Sequence, residues 1–245
     1  MKLAIITAMT EETRAVVRAC GGTTTTYTGK TTILRCRLGR HEVALTESGM
    51  GAANAASAAG TLVREERPDL LVSAGFCGGV RPGLSVGDAV LADRVVFVSA
   101  DGLEEVPLTR LPEIEPDPPA NGVQLVRGTF ATTRAIMPKK KLAVLFPEQE
   151  RYLVAEMESA AIAQVAAARG IPFIGLRTVS DPYDEELEFS LDDFCDESMR
   201  ISIPRVLLTI ARKPRIIPQL IRLARNSRIA ADSLSRAMKS ILDHL

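Results

Sequence analysis

Histidine is scarce in this chain. His41 and His244 are the only two in 245 residues, and they sit at opposite ends. A Ser-His-Asp triad and a histidine-based zinc site are therefore poor fits. The four cysteines, Cys20, Cys36, Cys77 and Cys195, form no Cys-x-x-Cys and are too scattered to suggest a disulfide framework. No uninterrupted apolar run is long enough to span a bilayer. The run from Met1 to Met9 is short for a signal core, and Glu11 and Glu12 follow it at once, so the chain reads as cytoplasmic. An excess of one charge is also lacking: 30 Lys+Arg stand against 30 Asp+Glu. That balance argues against a uniformly basic nucleic-acid binder, and 46% hydrophobic residues argue against disorder.

The charge is uneven along the chain. Residues 200–245 hold ten basic residues and two acids, a net +8, so residues 1–199 carry −8 in a chain that sums to zero. This predicts a main body over 1–199 and a basic C-terminal helical segment over 200–245 packed on it. In the body, Leu3–Ala8 is a continuous apolar run suited to a strand buried on both faces. Glu11–Cys20 has helical spacing and meets Gly21-Gly22. A hairpin is expected over Tyr27–Arg37, a strand over Glu42–Thr46, and a small-residue helix over Gly49–Glu66. Leu70–Ala74, Ala89–Val98 and Val123–Phe130 read as strands. Glu156–Arg169 reads as a helix and Ile171–Val179 as the strand after it. Leu103–Asn121, with five prolines, reads as a long loop. The alternation predicts an α/β fold of three layers with a central mixed sheet, plus C-terminal helices.

Four places lie where strand patterns end, which is where open α/β sheets bind ligands. The first is Ala8-Met9-Thr10-Glu11-Glu12, whose acids either reach a cleft or complement a helix dipole. The second is Glu47-Ser48-Gly49-Met50-Gly51, a turn that either cradles an anion or ribose or simply reverses the chain. Asn54 stands where a dinucleotide fingerprint needs its last small residue, so a nicotinamide cofactor is disfavoured. The third is Gly75-Phe76-Cys77-Gly78-Gly79, where Cys77 has no histidine to activate it. The fourth joins Glu156-Met157-Glu158, at the mouth of an apolar helix, to Arg177-Thr178-Val179-Ser180-Asp181 at the end of a buried strand. Carboxylates buried there are costly unless they bind something.

Two or three carboxylates and an arginine around one cleft suit cleavage of an N-glycosidic bond. A carboxylate beside the ribose hydroxyls offsets the positive charge of the oxocarbenium-like state. A second gives the departing purine a proton, and a third activates water.

These stretches carry a resemblance. AMTEE (8–12), ESGMGAANAA (47–56), GFCGGVRPGLSVGD (75–88), EMESAAIA (156–163) and LRTVSD (176–181) resemble, in order, the nucleoside phosphorylase/nucleosidase superfamily. They are most similar to the 5′-methylthioadenosine/S-adenosylhomocysteine nucleosidases. The resemblance implies a phosphorylase-like fold and a purine nucleoside substrate, with no metal and no organic cofactor. It also implies no nucleic-acid partner, and a homo-oligomer, of which a dimer is the simplest. It gives Asp181 the purine N7, Met157 and Glu158 the ribose, Glu12 the attacking water and Arg177 the nucleophile. Phe130 would stack on the base, and Ser180, Gly78 and Phe76 would line the pocket. Phe76-Cys77 stands where the nucleosidases have a small polar residue. Two alternatives stay open: a phosphate-dependent phosphorylase, and a nucleoside-binding protein without turnover. The tail is similar to that of hopanoid-associated phosphorylase-like members. Its apolar stripes, Ile217, Leu220, Ile221, Ala224 and then Leu234, Met238, Ile241, Leu242, suit a helix packed on the body, with a membrane-surface contact as the second reading.

Overall fold

Strand β1 (Lys2–Thr7) shows how the layers arise. Its side chains alternate between two separate cores. Leu3 and Ile5 face one way, against helices α1 (Thr10–Ala19) and α6 (Ile217–Asp243). Ala4 and Ile6 face the other, against α2 (Ala52–Glu66) and α4 (Ser159–Ala167). A strand buried on both faces must be apolar throughout, which is why its sequence shows no alternation. The computed structural model describes residues 1–20, 23–28, 31–109, 124–185, 194 and 202–245.

The remaining elements are β2 (Thr23–Thr28), β3 (Thr31–Leu38), β4 (His41–Glu47), β5 (Leu70–Gly79), β6 (Ala89–Ser99), β7 (Gly102–Glu105), β8 (Leu125–Thr133), α3 (Lys139–Ala143), β9 (Leu153–Glu156), β10 (Phe173–Asp181) and α5 (Ile203–Arg212). The sheet is mixed. β4, β1, β5 and β10 run parallel, and β2, β3 and β4 pair antiparallel. β10 turns back antiparallel on β6, which leads through parallel β8 and β9 to an antiparallel join with β5. The strands β5, β10, β6, β8 and β9 thus close into a ring at one end of an otherwise open sheet. This is the expected three-layer α/β architecture with a central mixed sheet, and the closure is its new feature.

Several boundaries differ from the sequence reading. Glu156 ends a four-residue strand, β9, and α4 starts only at Ser159. The glycine-rich stretch after Ala74 continues as strand, so β5 runs to Gly79. Leu103–Glu105 belong to β7, while most of the expected loop, 110–121, lies outside the described residues, as do Gly21-Gly22 and the Gly29-Lys30 turn. Cys20 and Cys36 are paired as a disulfide, Cα–Cα 5.9 Å, tying the end of α1 to β3; the scattered spacing gave no sign of it.

Helix α6 is part of the body's packing. Ala230, Leu234, Met238, Ile241 and Leu242 share one core with Leu3, Leu45 and Leu176. Buried His41 lies with Nε2 3.1 Å from the Leu242 carbonyl. The first part of the helix faces outward, with Ile217 and Ile221 exposed. No helix among the described residues is long and apolar enough to cross a membrane.

Candidate active site

Parallel strands β5 and β10 build the site between them. Their register sets Gly75 beside Arg177 and Gly78 beside Asp181. Each glycine leaves room for a carboxylate. A Cβ on Gly75 would fall 2.5 Å from Glu12 Oε1, and a Cβ on Gly78 would fall 2.5 Å from Asp181 Oδ2. The glycines at 75 and 78 are therefore required by close approach of acids to the backbone. β9 joins from the other side, with Ala155 opposite Gly78, which brings Glu156, Met157 and Glu158 to the same end.

Glu12 lies in the first turn of α1, only 3% exposed. Its Oε2 accepts hydrogen bonds from the N–H groups of Ala8 (2.8 Å) and Met9 (2.9 Å), and its Oε1 accepts one from Phe76 N–H (2.7 Å). Burial pushes its carboxyl above the ordinary glutamate value; Arg177 and the three N–H groups pull against that. Such a carboxylate, held rigidly and made more basic by burial, is suited to accept a proton.

Arg177 is fully enclosed and sits behind the cavity wall rather than in it. Its Nη2 donates to Ser73 Oγ at 3.0 Å and to Glu156 Oε2 at 2.7 Å, and lies 3.6 Å from Glu158 Oε2. One guanidinium thus serves three buried carboxylates, and they divide it unequally. Glu156 takes most of it. Its Oε2 also accepts from the N–H groups of Glu158 (3.0 Å) and Ser159 (2.7 Å), and its Oε1 accepts from Thr132 Oγ1. Burial works to raise Glu156, but Arg177 and these donors outweigh it and hold its carboxyl below the usual value. Glu158 is left with Gly51 N–H on Oε1, at 2.8 Å, and a long contact from Met157 N–H to Oε2, at 3.4 Å. Burial, then the neighbouring Glu156 charge, push it up to about 7, against Arg177.

Asp181 lines the same cavity. Its Oδ1 accepts from Ser180 Oγ at 2.9 Å, and its Oδ2 pairs with Lys139 Nζ at 2.7 Å. A register shift between Val179 and Asp181 lets both Ser180 and Asp181 meet the cavity, which a regular strand would forbid. The cavity measures about 170 Å³. Of the residues expected there, Glu12, Phe76, Gly78, Met157, Glu158, Ser180 and Asp181 line it.

Phe130 does not. It is fully buried in the core beneath α2 and α4, and its ring packs where a side chain on Gly175 would point. Three residues on along β8, Thr133 faces the cavity instead, followed by Ile136 and Met137. Residues three apart on a strand point to opposite faces, so both cannot line one pocket. The expected stacking residue is thus corrected to an aliphatic wall. Ala8, Met9, Met50, Ala155 and Lys139 complete the lining. Lys139 was missed because it opens a Lys-Lys-Lys run, the usual look of a solvated face; Lys140 and Lys141 are exposed, and Lys139 is buried.

A larger cavity of about 830 Å³ shares Met9, Met50, Phe76, Ser180 and Asp181 with the first, and is walled by α1 and α6. Leu220, Leu223, Ala224 and Ala231 give it an apolar side, and Arg14, Arg18 and Arg228 stand among its charged residues.

The family model of the phosphorylase superfamily matches residues 2–212. The chain belongs to that superfamily. It is 32% identical over 240 residues to the 5′-methylthioadenosine/S-adenosylhomocysteine nucleosidase of Bacillus licheniformis, covering 86% of this chain and 99% of that protein. It is 33% identical over 234 residues to the corresponding nucleosidase of Geobacillus kaustophilus, covering 88% and 100%. Among solved structures, the S-adenosylhomocysteine nucleosidase of Streptococcus pyogenes in complex with 5-methylthiotubericidin shares the fold, with TM-score 0.70, 23% identity and coverage of 100% and 97%.

Proposed function

We propose that this superfamily member is a nucleosidase of the methylthioadenosine/S-adenosylhomocysteine type, hydrolysing the N-ribosidic bond of a purine nucleoside with water as nucleophile. The observation that carries the reading is that Glu12, Glu158 and Asp181 line one small cavity together. The names of the relatives 32% and 33% identical to this chain support the reading.

In this reading the purine lies against Asp181, which hands a proton toward N7 as the C1′–N9 bond breaks and its electron pair passes to the base. Glu158, beside Met157, accepts hydrogen bonds from the ribose hydroxyls and offsets the charge growing on the sugar. Water attacks C1′, and its proton passes to Glu12. Arg177, enclosed behind the wall, keeps Glu156 ionised and orients the cluster. No metal or organic cofactor enters the reaction. The 1–199 body carries the chemistry, and the 200–245 segment covers its mouth through α6. We further take the enzyme to act as a cytoplasmic homodimer.

The test is product identity. Purine nucleosides with different 5′ groups are incubated with the protein, with and without phosphate, and free base and sugar are measured. Free sugar in the absence of phosphate is expected. Strict phosphate dependence with sugar 1-phosphate as product would replace hydrolysis by phosphorolysis. Release of no base at all would leave a binding protein.

A further inference from the structure

Lys139 comes from α3, far in sequence from the strand that carries Asp181, and its buried ammonium lies at the cavity. Its Nζ sits 2.7 Å from Asp181 Oδ2 and donates to three backbone carbonyls, those of Asp181 (3.2 Å), Pro182 (2.6 Å) and Glu185 (2.8 Å). An ammonium has three N–H bonds, so four oxygens compete for three protons. Asp181 meanwhile accepts on both oxygens, from Ser180 Oγ and from Nζ. That is how an ionised carboxylate is held, and an ionised carboxylate has no proton to give to a purine.

We infer that Lys139 is the proton reserve behind Asp181, and that the two act as one acid toward the departing base. The inference rests on the nucleosidase reading and deepens it. Asp181 Oδ2 takes a proton from Nζ, and as the C1′–N9 electron pair moves onto the purine, Asp181 passes that proton to N7. The base leaves neutral, protonated at N7; Asp181 returns to carboxylate; Lys139 is left as a neutral amine. The water that attacks C1′ gives its proton to Glu12, and exchange with solvent returns Glu12 to carboxylate and Lys139 to ammonium. Atoms and charges balance to nucleoside plus water giving base plus sugar. Lys139 reaches the base only through Asp181 and is a positioning residue in that sense. A purely structural role, fastening the chain after β10 through the three carbonyls, makes a different forecast.

A double-mutant cycle separates the two. Wild type, Lys139→Met, Asp181→Asn and the double variant are compared for release of free purine, with thermal melts confirming that each is folded. Lys139→Met alone should lower kcat by roughly 100-fold, within the usual span for general acid catalysis, and leave KM within about threefold. In the Asp181→Asn background the same change should cost no more than about threefold, because the path it serves is already cut. Lys139→Arg keeps the charge but gives up no proton, so it should stay within about threefold of Lys139→Met, and a recovery with arginine would overturn the proton role; if the methionine variant does not fold, the arginine variant runs the same cycle. Losses that multiply would overturn the proton role and leave Lys139 as a structural tie. A wild type that frees no purine from any riboside overturns the nucleosidase reading, and this one with it.

Discussion

Glu158 should cost the ligand-free fold stability, and that cost can be measured. The group titrates near 7 in the folded protein against 4.5 for an ordinary glutamate, because burial and then Glu156 oppose its charge. Between those two values the folded state keeps a proton that the unfolded chain has lost. Stability therefore falls as pH rises from about 4.5 to about 7, and above that the penalty is constant. The gap corresponds to about 3 kcal/mol. Glu158→Gln keeps the shape and an acceptor for Gly51 N–H but has no charge to bury. Its amide N–H groups face Arg177, so the gain is at most about 3 kcal/mol, and about 1 kcal/mol is the least the reasoning allows. Urea denaturation of both proteins near pH 5 and pH 8, without ligand, reads the difference. The variant should gain on the wild type as pH rises, while losing affinity for ribosides more than for 2′-deoxyribosides. Denaturation curves that keep a constant separation across the range would refute this account of the buried cluster.

Four more variants have expected outcomes. Asp181→Asn should lower kcat by roughly 10²–10⁴-fold in a base-release assay, and a near-wild-type rate in a folded variant would count against its role. Arg177→Met should destabilise by about 3–5 kcal/mol, since Glu156 and Glu158 lose their counter-charge. Because Arg177 is what holds Glu156 low, thermal melts of variant and wild type should converge as pH drops through the carboxylate range. Gly75→Ala places a methyl against Glu12 and should break at least one of its three N–H contacts, lowering kcat by roughly 10–100-fold. Gly60→Ala, with open space around it in α2, should leave kcat unchanged in the same assay.

The fold was legible where side chains respond to local geometry. The apolar run of β1, the small-residue pattern of α2, the glycine-rich end of β5 and the acid-bearing end of β10 all announce themselves within a few residues. What escaped depends on distant partners. The closure of the ring needs β9, four residues long, too short to show a period, and its last residue, Glu156, read as the start of a helix. The family resemblance put Phe130 in the pocket, but the phase of β8 decides which face it takes, and one residue of strand phase reverses it. Lys139 hid among exposed lysines because only tertiary packing distinguishes the first of the three. Cys20 and Cys36 meet through the pairing of β2, β3 and β4 beneath α1, which no spacing rule anticipates.

The register slip near the end of β10 couples catalysis to sheet geometry. Ser180 and Asp181 share the cavity only because one residue drops out of the ladder between Val179 and Asp181. Restoring regular pairing by deleting a residue there would turn one of the two away while leaving every catalytic side chain in the sequence. The site is thus written partly in the count of residues along a strand, and a deletion at that point would be more damaging than most substitutions around it.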